Sequence, residues 1–266
     1  MNNFDESYTQ YWEQRVKQLS DGTRIADSDI ADTFLPFLNI AKTDALLDMG
    51  CSYGRFFPLL SKYSDNIIGV DIEPNAIQKA SEYGYKNLIV SGLENTPIES
   101  NTIDCGFCWA TFDCTEQEEV MKECNRILKQ GGRILITGKN IEYASDDEIA
   151  FIAERNARLK SFPNHFTNLP LLFETIAQWG FAIEEGFAFR NRGDFGNAKG
   201  FRIDKTNIDT PFYEYAIVIR KTAENNAFTQ KICDTYSATA RKLAEKNGFN
   251  DPFEFFKHHK ATSGIE

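Results

Sequence analysis

At 266 residues the chain is long enough to bury one sizeable core with a small appended element. Its 42% hydrophobic residues include no long apolar run, which argues against a transmembrane helix and for a globular protein. A formal charge of −10 argues against nucleic-acid binding by bulk charge, because counterion release needs a basic surface.

The first residues, Met1-Asn2-Asn3-Phe4-Asp5-Glu6, are polar and acidic, unlike a secretory leader. The six cysteines at 51, 105, 108, 114, 124 and 233 therefore read as reduced thiols, and the expected location is cytoplasmic, with no membrane partner. Cys105 and Cys108 resemble half a zinc site, with Cys114 and Cys124 to complete it. In a strand, however, residues three apart point to opposite faces, so no metal is expected.

Phe4, Tyr8, Tyr11, Trp12, Val16 and Leu19 recur at helical spacing and give an aromatic face over residues 4–19. That face is either a lid, with Tyr11 toward a substrate, or packing on the core. Ser28 is a candidate N-cap for a second helix reaching Leu38. A buried strand over 44–49 then runs into Gly50-Cys51-Ser52-Tyr53-Gly54, a small-residue turn before a helix. A second strand ends in Asp71, Pro74 opens a helix over 74–83, and a third strand lies at 87–90. A strand over 103–109 and a helix over 116–130 follow, the latter stopping at Gly131-Gly132 ahead of a fifth strand over 133–137. This alternation predicts a mostly parallel sheet with helices on both faces. Helices over 144–161 and 168–179 and strands over 181–192 and 212–220 come next, the two strands read as an antiparallel pair closing the sheet edge. The last residues are polar and helical in pattern.

A strand, a glycine turn at a helix start and an acid ending the next strand describe a nucleoside-binding half-site. In register with Leu128-Lys129-Gln130-Gly131-Gly132-Arg133, these residues resemble the class I S-adenosylmethionine-dependent methyltransferases over about 44–221. The resemblance implies a Rossmann-like seven-stranded α/β sheet with an antiparallel last strand, N- and C-terminal helical additions, and S-adenosylmethionine as cofactor, released as S-adenosylhomocysteine. It implies a donor site of Asp48, Gly50, Ser52, Gly54, Asp71 and Ile72, with Asp71 on the ribose. Gly92 stands where the family often has an acid for the adenine amino group, so backbone atoms or the Leu93 and Glu94 neighbourhood are expected to serve there. The corresponding division is a helical lid over 1–40, a donor-binding domain over 41–221 with acceptor-side insertions at 141–211, and a helical extension over 222–266.

Methyl transfer asks the protein to align two partners and remove a proton from a poor nucleophile. His165, in an aromatic loop on the acceptor side, is the candidate base, against the blander reading of a structural histidine. Asp113, the second catalytic candidate, either binds the acceptor or the donor's amino group at the carboxyl edge of the sheet or caps the next helix, in competition with Thr115. Lys139 and Tyr143 follow the fifth strand toward the acceptor. Lys139 beside Asn140, where metal-dependent relatives carry an acid, argues against magnesium. Arg190 and Arg192 alternate by two and would clamp a carboxylate or phosphate from one strand face, unless they pair with nearby acids. The expected acceptor is a small and anionic molecule methylated at oxygen, such as a sugar, phosphorylated or nucleotide-linked metabolite; a homodimer is left open.

Three other readings compete. Gly50-Cys51-Ser52-Tyr53-Gly54 also matches a G-x-S-x-G nucleophile elbow, with Ser52 attacking and His165 as base, although only one strand precedes it. A nicotinamide dehydrogenase needs a third glycine where Arg55 and Phe56 stand. The fold also serves proteins that bind without turnover.

Overall fold

The computed structural model describes residues 26–197, 199–225 and 230–263. The aromatic face over 4–19, with Tyr11, lies outside them. The nucleus of the fold is β1 (Ala45–Met49), whose five residues are all buried, as a strand covered on both faces requires. It pairs in parallel with β2 (Asn66–Asp71) on one side and β4 (Ile103–Cys108) on the other. β3 (Asn87–Val90) extends the sheet beyond β2, and β5 (Leu128–Lys139) beyond β4, both in parallel.

Past β5 the order departs from the expected edge pair. β7 (Phe181–Phe189) lies two places from β5, and β9 (Glu214–Lys221) fills the slot between them, antiparallel to both. The edge is instead β8 (Gly200–Arg202), paired with β7, so the sheet has eight strands in the order β3-β2-β1-β4-β5-β9-β7-β8 rather than seven. Tyr215–Ile219 are all buried, which fits an interior strand, whereas β8 is three residues in a polar segment and carries no alternation to read. β6 (Phe166–Thr167) and β10 (Cys233–Asp234) form a separate antiparallel pair.

Alternation along the central strands divides the core. Leu47, Met49 and Cys108 pack under helix α4 (Gln117–Ile127). Leu46, Cys105 and Phe107 pack against α1 (Ala26–Phe34) and the short α2 (Phe57–Leu60). Cys105 and Cys108 thus sit on opposite faces. Ser28 falls inside α1 rather than at its cap, and a 3-10 turn, Leu35–Leu38, continues from it. α3 (Pro74–Ala80) opens on Pro74 and is capped by Glu73, whose carboxylate accepts from the Asn75 N–H at 3.0 Å.

A third core lies off the sheet. Helix α5 (Glu148–Leu159) packs there with α7 (Ala238–Lys246) and α8 (Pro252–Ser263), while α6 (Leu169–Thr175) returns to the sheet. No helix among the described residues is long and apolar enough to cross a membrane.

Candidate active site

The turn after β1 is held against β2 by its own backbone. Gly50 and Cys51 both donate N–H to the Val70 carbonyl, at 2.8 and 3.0 Å. Gly50, Ser52 and Gly54 take positive φ of 76°, 50° and 83°. A Cβ on Gly50 would lie 2.4 Å from Thr111 Oγ1, so the close approach to the loop after β4 requires glycine there. Ser52 occupies its left-handed position without that freedom, the kind of local strain that accumulates at binding sites.

The Ser52 N–H donates to Asp71 Oδ2 at 2.8 Å, and the Glu73 N–H to Oδ1 at 2.9 Å. Two backbone donors therefore fix the carboxylate at the end of β2 with lone pairs to spare for a ligand. Burial pushes its pKa above the ordinary carboxylate value. Asp48 lies deeper, 2% exposed, and accepts the Tyr85 hydroxyl at 2.7 Å. Its burial raises the carboxyl to about 7.

A cavity of about 710 Å³ opens at the carboxyl edge of the parallel strands, where an open α/β sheet binds its ligands. Gly50, Ser52, Asp71, Ile72, Leu93 and Glu94 line one half, whereas Asp48 and Gly54, also expected in the donor site, are not in the wall. Gly92 is also in the wall, beside Ser91.

The other half is formed by the loop after β4, the end of β5, the start of β9 and the face of α5. Ala110 takes a left-handed φ of 52°, its N–H on Thr137 Oγ1 at 2.7 Å, and this turn brings Asp113 into the wall. Asp113 is paired with Lys139, and neither it nor Thr115 caps α4, whose N-cap residue is Glu116. Burial alone would lower the Lys139 ammonium, but the charges of Asp113, Tyr213 and Cys114 outweigh it and raise its pKa.

Three further expected residues lie outside the wall. His165 stands outside the wall, between lining residues Asn164 and Phe166. Its N–H donates to the Asp113 carbonyl at 2.6 Å, its Nδ1 is buried without a partner, and burial lowers its pKa. No hydrogen bond among the described residues joins it to Ser52. Tyr143 is buried in the third core with its hydroxyl on Glu154 Oε2 at 2.7 Å. Arg192 reaches the wall while Arg190 does not. Because β7 ends at Phe189, the two arginines share no strand face.

Sequence reasoning missed Glu214. It is the first residue of β9, opposite Lys139 in the ladder, and lines the cavity. Among the described residues its carboxylate has no hydrogen-bond partner, and burial, countered by Lys139 and Arg192, raises its pKa to about 7. Only the antiparallel direction of β9 brings this residue to the carboxyl edge of its parallel neighbours.

Residues 47–136 match the family model described as a methyltransferase domain. Phosphoethanolamine N-methyltransferase 1 from Triticum aestivum is 28% identical over 155 residues, which are 52% of this chain and 31% of that protein. The chain spans about two fifths of the length of other curated relatives, 41% and 40% of two Schizosaccharomyces pombe proteins, one an uncharacterized methyltransferase and one methyltransferase-like. A Thermotoga maritima SAM-dependent methyltransferase, described as a possible histamine N-methyltransferase, superposes with a TM-score of 0.59 at 15% identity, covering 82% of this chain and 98% of that one. Geranyl diphosphate C-methyltransferase from Streptomyces coelicolor, solved with Mg2+, geranyl diphosphate and S-adenosyl-L-homocysteine, gives 0.56 at 12% identity over 84% and 86%. At these identities the superpositions establish the fold.

Proposed function

We propose, from the match of residues 47–136 to the family model of methyltransferase domains, that this chain transfers a methyl group from S-adenosylmethionine to a small-molecule acceptor. The observation that carries the reading is a cavity with two unlike halves: a nucleoside-type cradle around Asp71, and opposite it Glu214, a carboxylate poised near neutrality and without a hydrogen-bond partner among the described residues. The cradle fits the cofactor chemically, since Asp71 is held by two backbone donors and presents only acceptors, which a pair of ribose hydroxyls satisfies. Gly50 and Ser52 admit the chain of the donor, and Ile72, Leu93 and Glu94 frame its base. S-adenosylmethionine bound there supplies an electrophilic methyl group and yields S-adenosylhomocysteine.

The chain's own contribution is alignment, exclusion of water and proton removal. Glu214 is placed to take the proton from an acceptor hydroxyl or amine, being both in the wall and matched in pKa to neutral pH. It replaces His165 in that role, because His165 is set back from the wall. The Lys139–Asp113 pair is self-neutralised and fixes the rim between the two halves.

Isothermal titration with S-adenosylmethionine, S-adenosylhomocysteine and NAD is the direct test. Micromolar binding of the first two with none of NAD is expected; absence of binding by both removes the reading. With an acceptor in hand, Glu214→Gln should lower kcat by about 10²–10⁴ while cofactor affinity holds. The wild-type kcat/KM should rise with pH through about 7, because the base acts only when ionised.

A further inference from the structure

Helix α5 brings into the cavity wall a cation that cofactor binding does not require. Arg158 is 7% exposed and lines the acceptor half. One of its nitrogens, Nη2, donates to the Phe162 carbonyl at 2.8 Å, while Nε is buried with no hydrogen-bond partner. Glu154, one helical turn earlier, would be the natural counter-ion. Its carboxylate is already taken: Oε1 accepts the Ser237 N–H at 2.8 Å, and Oε2 accepts the Ser237 and Tyr143 hydroxyls, each at 2.7 Å. Burial correspondingly lowers the Arg158 pKa and raises that of Glu154.

A guanidinium buried in a cavity wall without a carboxylate committed to it is costly, and proteins retain such a group where a ligand supplies the partner. The surroundings carry both signs, with Asp113 and Glu154 in the wall beside the cations. Lys160 lines the same wall, and Arg158 and Lys231 both act to depress the ionisation of His165. The other lining cations are differently placed, Lys139 being paired with Asp113, Arg192 largely exposed and Arg55 set over the Phe56 ring. We propose that Arg158 holds the anionic group of the acceptor, a phosphate monoester or a carboxylate, by the Nη hydrogens not committed to Phe162. The planar fork of arginine matches either group with two oxygens. This rests on the cavity being a methyl-transfer site, and it gives that site an acceptor of defined class: anion at α5, reacting atom toward Glu214.

The test uses inorganic phosphate and acetate as probes of the full chain, by calorimetry, with and without S-adenosylhomocysteine. One of the anions should bind the wild type, phosphate the tighter if the acceptor is a phosphate ester and acetate if it is a carboxylate. Arg158→Gln should weaken that anion at least ten-fold with the S-adenosylhomocysteine affinity unchanged. Arg158→Lys should recover part of the loss, which keeps the test decisive if the glutamine variant folds poorly. Arg241→Gln, which removes a surface pair with Asp234, should bind as the wild type does. Unaltered anion binding in Arg158→Gln, or no binding of either anion by the wild type, overturns the assignment. Loss of cofactor binding by the wild type would overturn the methyl-transfer reading instead, and the anion titration without cofactor separates the two failures.

Discussion

Glu214 ties the proposed chemistry to the stability of the fold through one proton. Its ordinary carboxyl value is 4.5 and its folded value about 7, so the folded state binds the proton more tightly than the unfolded chain does. The resulting stabilisation is complete below about pH 4.5 and is lost as pH rises through 7. Asp48 shifts in the same direction, from 3.8 to about 7, and adds to the same slope. A group kept ionisable and unpartnered for proton transfer therefore costs stability at the pH where it works. Glu214→Gln should remove its part of that cost. Urea unfolding should give a variant more stable than wild type by about 2–3 kcal/mol at pH 8 and nearly unchanged at pH 4.5. An equal effect at both values would mean that the carboxylate is not raised in the folded protein. At the donor end, Asp71→Asn should lose about 1.5–3 kcal/mol of S-adenosylhomocysteine binding, the usual range for hydrogen bonds to a charged group. Unchanged affinity in the titration would remove Asp71 from the cradle.

Among the elements, the part of the chain legible in sequence is the part where one residue type has one physical use. The β1 turn could be read because glycine is required where a Cβ would meet Thr111, and β2 because an acid ends a buried strand. The acceptor half had no such signs. Arg190 and Arg192 looked like one face because strand periodicity was carried past Phe189. There the chain bends instead, with the Asn191 N–H on Asp194 Oδ2 at 2.9 Å. Glu214 was passed over because the parallel-strand rule directs attention to strand ends, and this strand enters the site at its beginning. Arg158 looked like any charge on a helix, since only tertiary packing buries it. The far end of β9 shows what keeps that inserted strand in place. Lys221 is fully buried and donates to Asn101 Oδ1, the Leu128 carbonyl and Glu224 Oε1, at 2.9, 2.9 and 2.7 Å. It joins the last turn of β9 to the first residue of β5. Lys221→Met should destabilise by about 1–3 kcal/mol in urea, because it strands the buried Leu128 carbonyl, whereas Asn101 and Glu224 lie at the surface. A loss below 1 kcal/mol would show that water replaces the ammonium.

At the scale of the whole molecule, the two halves of the cavity rest on different cores. The donor cradle stands on the sheet and the two clusters that sandwich it. Helix α5, which supplies Arg158, stands on the third core with the C-terminal helices, so α7 and α8 are packed behind the acceptor wall. Phe151 of α5 meets Phe255 and Phe256 of α8 at ring-centroid distances of 5.7 and 5.5 Å. The Ser237 hydroxyl caps α7, accepting the Ala240 N–H at 2.9 Å, while it donates to Glu154 on α5. Regions built on separate cores can open separately. Phe256 is fully buried, and Phe256→Ala should remove about 3–5 kcal/mol from the contacts holding α5. Hydrogen exchange should then accelerate along Glu148–Leu159 and through α7 and α8. The amides of Gly50, Cys51 and Ser52, held by Val70 and Asp71, should keep their protection. Anion affinity should fall with α5 while S-adenosylhomocysteine affinity stays. Equal acceleration in both regions would mean that the protein opens as one unit, and the acceptor wall would then have no stability of its own to regulate.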